Sequence, residues 1–485
     1  MSKKEGETMQ TLTKAPAVVA AEDEARCEIE AMVGRARDAQ AAIGNYAQEQ
    51  ADALVTAVGW QVYKSREALA KLAVEEGGFG NVQDKIAKFA NRVMGTLADM
   101  ASIKTCGIVE EDPARGLVKI AKPVGVIAAL IPTTGPDATP PVKALGALKA
   151  RNAIIIAPHP RTRKTSAAVV EVMRKGCLQV GAPADLIQVI ERPSIAKTEL
   201  LMRMSDLIVA TGGAGMVKAA YSSGTPAYGV GVGNAVHVVD ESADLDDAAQ
   251  MIANAKTFDY ATSCLADNSV AAHSSIYETL KGKLIERGGH VCTPAEKAHL
   301  QAVMWPKDGH IPLIEVVAKP AARIAELAGI EIAPDRTFLV VEEEGVGEVH
   351  PFSGEKLSVV LALYRYSGGI DGAVDLVNQI TQYQGAGHTC GIHSSRNDHV
   401  LALALGTKTA RVMVNQSMNE GAGSVRNGLP YTLSLSCGSW GGNITTENVN
   451  VRHFFNLTWV SRPMTPRRLV ADEIFGAHWA KYGNE

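Results

Sequence analysis

The chain has 485 residues, of which 46% are hydrophobic and 21% charged, and its formal net charge is −4. That balance describes a globular protein too long for one ordinary core, so two or three domains are expected. The small charge excludes the basic surface that nucleic acid or an anionic membrane would call for, and no run approaches the roughly 18 unbroken apolar residues of a membrane helix.

Seven cysteines, at 27, 106, 177, 264, 292, 390 and 437, form no CxxC pair and no regular spacing. This argues against a disulfide framework and a zinc site, and for a reducing cytoplasm. Residues 1–23 lack the apolar core of a secretory signal and read as a disordered tail, with Met9 as a second start. Residues 24–104 carry apolar positions at helical spacing, as at Leu54, Val55, Val58 and Val62. Gly77, Gly78 and Gly80 interrupt the pattern, and no chemistry is visible there.

From residue 107 the pattern changes. Two strands flank an Asp-Pro-Ala-Arg-Gly turn at 112–116, and a fully apolar strand at 124–131 ends in Pro-Thr-Thr-Gly-Pro at 132–136. There follow a helix (142–149), a strand (153–157), a Pro-His-Pro turn (158–160), a helix (165–179), a strand (186–190), a helix (197–204) and a strand (206–210). Continuous apolar strands alternating with helices predict a parallel sheet covered on both faces, with ligands at the carboxyl ends of its strands. The loops that matter are then 132–136, 158–164 and 211–215. The last contains Thr211, Gly212 and Gly213 and opens a helix, which suits either close backbone approach to a phosphate or tight packing. Gly229, Gly231 and Gly233 alternate before a strand at 235–239; a ligand's approach and a tight chain crossing both explain them.

An Ala-rich helix (243–256) and a strand (269–272) bracket Cys264 on a short connection. A thiol presented there is a nucleophile or a small apolar filler. Downstream, Glu355 lies just ahead of an apolar strand, and His388 lies among glycines before a strand, where an exposed acid–base group is expected. Residues 438–456 read as a loop and an exposed strand suited to pairing with a neighbouring subunit. Val470, Ile474, Phe475 and Trp479 make a helical stripe expected to pack on its own domain, with partner docking or encapsulation as the alternative.

The ordered motifs TGGAG (211–215), SSGTPAYGVGVGN (222–234), KTFDYATSC (256–264), HPFSGEKL (350–357), YQGAGHTCGIH (383–393) and VMVNQ (412–416) resemble those of the CoA-acylating aldehyde dehydrogenases over residues 25–462. Residues 242–264 and 341–366 are most similar to the branch acting on sulfoacetaldehyde, with the succinate-semialdehyde and propionaldehyde branches next. The resemblance implies an aldehyde dehydrogenase-like α/β fold. It comprises a Rossmann-type cofactor domain (24–236, with a hairpin arm at 107–122), an α/β catalytic domain (237–430), an oligomerisation arm with a return to the core (431–462) and a C-terminal tail or helix (463–485). It implies Cys264 as nucleophile, His388 as proton carrier, and Glu355 on the nicotinamide ribose. Thr133, Pro158, His159, Thr211, Gly212, Gly213 and Gly231 would line the dinucleotide, NAD or NADP, and Thr134 would face the substrate. Coenzyme A would be the acyl acceptor and a small aldehyde the substrate. No metal, nucleic acid or membrane is implied. The assembly would be a homodimer or homotetramer in the cytoplasm, or inside a bacterial microcompartment.

Hydrolytic relatives carry a water-activating glutamate in an apolar Glu-Leu-Gly-Gly segment, whereas the equivalent residues 228–234 hold no carboxylate, which favours a thiol acceptor. Three departures from the family pattern bear on substrate. Gly135 stands where relatives have an asparagine, removing an amide that would hold an oxyanion at a value of ~3 kcal/mol and leaving the Cys264 N–H or Thr134. Leu265, Ala266 and Asp267 replace small polar residues. Arg426 is either an anion clamp or a solvated loop arginine. Arg161, Arg163 and Lys164 suit a 2′-phosphate of NADP, a 3′-phosphate of CoA, or a solvated helix start, so NAD and NADP stay open.

Overall fold

The structure, a computed structural model, describes residues 16–306 and 311–484. The sequence's disordered tail falls partly outside these; within them a helix already begins at Pro16 (Pro16–Ile43), eight residues before the expected start. The helices Gln48–Lys64, Arg66–Gly77 and Val82–Met100 follow.

A hairpin, β1 (Gly107–Asp112) and β2 (Leu117–Pro123), turns through a short 3-10 segment at Pro113–Arg115, with Gly116 in the left-handed region (φ 63°). Then comes an all-parallel sheet of β3 (Val126–Leu130), β4 (Ala153–Ala157), β5 (Ile187–Val189), β6 (Leu207–Thr211) and β7 (Ala227–Val230), ordered β5-β4-β3-β6-β7. All residues of β3 and β4 are buried, which is why they read as unbroken apolar runs. From β3 the chain adds strands in one direction, then returns to add β6 and β7 in the other. The reversal leaves a crevice at the carboxyl ends of β3 and β6, and the loops carrying Thr133, Thr134 and Thr211 are the ones that border it.

The second parallel sheet contains β8 (Val236–Val239), β9 (Ser269–His273), β10 (Gly289–Val291), β11 (Phe338–Glu343), β12 (Val360–Tyr366), β13 (Gly387–His393) and β14 (Thr409–Val414), ordered β10-β11-β12-β9-β8-β13-β14. Each sheet has its own apolar core. Finally β15 (Phe455–Ser461) pairs antiparallel with β2 to complete a three-stranded arm.

Four expectations change. Residues 227–230, expected only as a glycine-bearing segment ahead of the strand at 235–239, form an edge strand of their own, because three of the four residues bury against the preceding helix and β6. His388 lies inside β13 rather than before it and is fully buried, not exposed. Residues 431–450 fold against the core before the chain reaches the arm; Tyr431, Leu435 and Cys437 are buried there, and Ser436 Oγ donates to the Gly229 carbonyl. The helix Ala471–Tyr482 buries none of its residues, so its apolar stripe does not pack into its own domain.

Candidate active site

The N-cap Asp244 accepts from the amides of Asp246 and Asp247 to start the helix Leu245–Thr257, and that helix ends at a turn, Phe258–Ala261. Three successive non-glycine residues in this turn, Asp259, Tyr260 and Ala261, have φ of 50°, 51° and 59°. Such left-handed residues cost roughly 1–2 kcal/mol each, so something outside the turn holds it.

The holder is the start of the helix Val82–Met100. Asp259 accepts from the Asn81 amide (3.0 Å), Lys85 Nζ (3.1 Å), Lys88 Nζ (2.7 Å) and Thr262 Oγ1 (2.8 Å), and its own amide donates to Asp84 Oδ2 (2.7 Å). Burial alone would raise the Asp259 carboxyl, but the Lys88 and Lys85 ammoniums keep it below the usual carboxylate range. Gly80, with φ of 70°, makes room: a Cβ there would sit 1.8 Å from Asp259 Oδ1. Of the three glycines in which the sequence showed no chemistry, Gly80 therefore admits the carboxylate that fixes the turn before Cys264.

Cys264 opens on a cavity of about 670 Å³, a size suited to a small-molecule site. Its Sγ is 3.3 Å from Nε2 of His388. Burial, and then the charge of Arg411, push the imidazole down to about 3, so it is neutral at physiological pH. The other ring nitrogen, Nδ1, is buried without a hydrogen-bond partner among the described residues. Burial, followed by the nearby Glu355 charge, raises the Cys264 thiol well above its ordinary value. The Cys264 N–H makes no hydrogen bond to another of the described residues.

Glu355 also lines the cavity, and its Oε1 accepts from the Gly233 amide at 3.2 Å. Burial raises this carboxyl to about 8. Segment 228–234 has no acid of its own, yet it receives one from 122 residues away. Gly233 is packed so tightly that an added Cβ would lie 2.5 Å from the Cys264 carbonyl oxygen.

Of the residues singled out in the sequence, Thr133, Thr134, His159, Thr211, Gly212, Gly213, Gly231, Cys264 and Glu355 line this one cavity. His388 stands behind Cys264. Pro158 is buried and does not reach the cavity wall. Thr211 Oγ1 is shared with Ser434 Oγ at 3.1 Å. Arg426 is absent from the wall; its side chain is 62% exposed, 3.9 Å from Glu420. Among the cavity residues missed by the sequence are Lys88, Asn91 and Arg92, hidden in a helix that looked like scaffold, together with Thr139, Asn419 and Glu420. Thr139 Oγ1 lies 2.6 Å from where a Cβ on Gly135 would be, so a hydroxyl occupies the space of the missing amide.

A dinucleotide fits this arrangement. Gly212 and Gly213, after β6, and Gly231, after β7, leave the wall without side chains at the carboxyl ends of these strands, and nothing lies within 4 Å of a Cβ placed on Gly213. Among the described residues no helix is long and apolar enough to cross a membrane.

Comparison with known proteins agrees with the geometry. Residues 2–296 match the model of the aldehyde dehydrogenase family. The chain is 44% identical over 456 residues to a sulfoacetaldehyde dehydrogenase (acylating) from Bilophila wadsworthia, covering 92% of this chain and 98% of that one. It superposes with a TM-score of 0.89 on an acetylating aldehyde dehydrogenase from Geobacillus thermoglucosidasius, at 36% identity, covering 93% of this chain and 99% of that one. The Rhodopseudomonas palustris propionaldehyde dehydrogenase, solved with bound CoA and an acylated cysteine, gives a TM-score of 0.81 at 27% identity, over 90% of this chain and 97% of that one. With a half-buried thiol backed by a buried imidazole at the floor of the crevice, the chain belongs to the aldehyde dehydrogenase family, in its CoA-acylating branch.

Proposed function

We propose that the chain oxidises a small anionic aldehyde, with sulfoacetaldehyde as the leading case, to its acyl-CoA. The observation that carries the chemistry is the 3.3 Å contact between Cys264 Sγ and His388 Nε2 at the cavity floor. The substrate class is carried over from the similarity to sulfoacetaldehyde dehydrogenases.

Cys264 Sγ adds to the aldehyde carbon. As the C–S bond forms, the thiol proton leaves through His388 Nε2 and the carbonyl oxygen gains negative charge. The Cys264 N–H and the hydroxyls of Thr134 and Thr139 are the donors available to that oxygen. Bound NAD(P)⁺ supplies the hydride acceptor, and loss of hydride from the carbon leaves the acyl group as a thioester on Cys264. The CoA thiol then attacks this carbonyl and passes its proton to His388 Nε2; the C–S bond to Cys264 breaks and Cys264 leaves as the thiol by taking that proton, while the proton lost from Cys264 in the first step is the one released to solvent. With so depressed a basicity, His388 relays a proton during attack rather than holding a resting thiolate.

In this reading Glu355 binds the nicotinamide ribose, and His159 with Thr211 to Gly213 borders the rest of the dinucleotide. Residues 24–236 serve the cofactor and 237–430 the chemistry. The arm of β1, β2 and β15 joins subunits into a homodimer or homotetramer in the cytoplasm, with enclosure in a microcompartment as the alternative.

The test is NAD(P)H formation from sulfoacetaldehyde, succinate semialdehyde, propanal and acetaldehyde, with and without CoA. CoA-dependent turnover, fastest with sulfoacetaldehyde, is expected. Turnover without CoA would make Glu355, the acid beside Gly233, a water-activating base instead. Absence of turnover with every aldehyde would favour a non-catalytic relative serving as an assembly subunit.

A further inference from the structure

The helix Val82–Met100 presents three cations to the interior, and they are compensated unequally. Lys85 and Lys88 share the Asp259 carboxylate. Arg92, one turn beyond Lys88, has no carboxylate partner among the described residues. Its Nη1 donates to the carbonyls of Ala422 (2.7 Å) and Gly423 (2.8 Å), its Nη2 donates to the Asn419 carbonyl (3.3 Å), and its plane lies 5.7 Å from the Tyr431 ring centre. These groups bring dipoles and a quadrupole but no negative charge. Burial lowers the guanidinium to about 10, still cationic at neutral pH. Arg92 is only 9% exposed, and it lines the same cavity as Cys264. Its Nε–H and one Nη2–H, neighbouring donors on the planar fork, meet no acceptor among the described residues. A charge this deep without a counter-ion is costly, and it is the one such charge on the cavity wall among the described residues.

The position of Arg92 says which ligand supplies the counter-ion. The segment whose carbonyls hold it packs on the nucleophile's own loop: Met418, Ala422 and Leu265 share one apolar cluster with Cys264 at its edge, and a Cβ on Gly421 would lie 3.2 Å from Leu265 Cδ2. The dinucleotide loops lie instead at the carboxyl ends of β3 and β6. The one acid in the Arg92-holding segment, Glu420, also lines the cavity, but its side chain accepts from Ser424 Oγ at 3.2 Å and faces Arg426 at 3.9 Å, with no ion pair to Arg92 among the described residues.

We infer that Arg92 is the anion-binding residue of the substrate pocket, pairing through Nε–H and Nη2–H with an oxyanion at the far end of a short aldehyde whose carbonyl is held at Cys264. A sulfonate, fully ionised and offering three oxygens, matches a planar fork of donors, and a carboxylate shares that chemistry. The inference rests on the proposed function for the aldehyde end of the ligand. It moves the clamp from Arg426 to a residue that the sequence placed in a scaffold helix.

The test compares kcat/KM for sulfoacetaldehyde, succinate semialdehyde and propanal at saturating CoA in the full chain and in Arg92→Met, Arg92→Lys and Arg426→Met. The ratio of sulfoacetaldehyde to propanal is expected to fall about 10- to 100-fold in Arg92→Met, to recover in part in Arg92→Lys, and to hold in Arg426→Met. The succinate semialdehyde ratio distinguishes a sulfonate site from one that takes any oxyanion. An unchanged ratio, with both substrates falling equally, would make Arg92 only a staple for residues 419–423 and overturn the inference. So would an effect confined to the KM for CoA. Titration with ethanesulfonate, an inert anion, separates the two failures. Binding to the native chain that is lost in Arg92→Met supports the anion site even where no aldehyde turns over, and binding that survives in Arg92→Met overturns it.

Discussion

Cys264 and His388 face each other as a thiol and a neutral imidazole, not as an ion pair, and the cause is burial. Desolvation raises the thiol and lowers the imidazole, Glu355 opposes the thiolate, and Arg411 opposes the imidazolium. Arg411 has no carboxylate partner among the described residues either; it donates to the carbonyls of His388 and Ser436 and to Thr389 Oγ1, which ties its charge to the strand bearing His388. Alkylation of Cys264 by iodoacetamide in the free enzyme should therefore rise with pH and show no plateau between about pH 6 and pH 9. The sign for Glu355 follows from its own raised pKa of about 8. Below that pH the carboxyl is largely neutral, and above it a negative charge disfavours the thiolate. Glu355→Gln should alkylate faster than the native enzyme, with an advantage that grows as pH passes through 8. A rate that levels off near neutral pH would show a thiolate already formed and contradict this account.

At the scale of elements, the turn Phe258–Ala261 is held from outside by the helix Val82–Met100. Three left-handed residues persist because one carboxylate collects an amide, a hydroxyl and two ammoniums. Asp259→Asn leaves Lys85 and Lys88 without a counter-charge in a site where Lys85 is 1% exposed. Loss of one partner from a buried ion pair costs about 3–5 kcal/mol. The urea midpoint should drop accordingly, and kcat should fall with it because Cys264 begins three residues after the strained stretch. Equal stability of the native and Asp259→Asn proteins would mean that the turn is set by its own sequence. Nothing in the spacing of residues 80–100 announced this clamp. An isolated helix pattern shows which face is apolar, but not that Lys85 and Lys88 on it meet the Asp259 turn 174 and 171 positions later, nor that Arg92 meets Ala422 at a separation of 330.

For the whole molecule, two parallel sheets with separate cores frame the crevice, and a three-stranded arm projects from them. Leu457 and Trp459 on β15 are 40% and 54% exposed, with Lys119 Nζ 4.5 Å from the Trp459 ring centre, so the arm offers a partly apolar, unfilled face. The terminal helix Ala471–Tyr482 contributes no buried residue to the single chain. Removing residues 464–485 should leave the thermal midpoint of the isolated subunit's fold within about 1 °C and turnover intact. Light scattering on the truncated chain reads the remaining role: a smaller assembly would assign the helix to contacts between copies, and a large loss of midpoint would show that it packs on the core after all.

What the sequence determined by itself is what local pattern encodes. Unbroken apolar runs reported strands buried on both faces, their alternation with helices gave the parallel sheets and the ligand-bearing ends, and the ordered motifs marked Cys264, His388 and Glu355. The tertiary structure decided what depends on distance across the chain. It put His388 inside a strand rather than in a loop, brought Glu355 to Gly233, placed Thr139 in the space beside Gly135, and left Arg426 in solvent while aiming Arg92 into the cavity. Burial and charge compensation are properties of neighbours in space, and those neighbours lie from a few to several hundred positions apart.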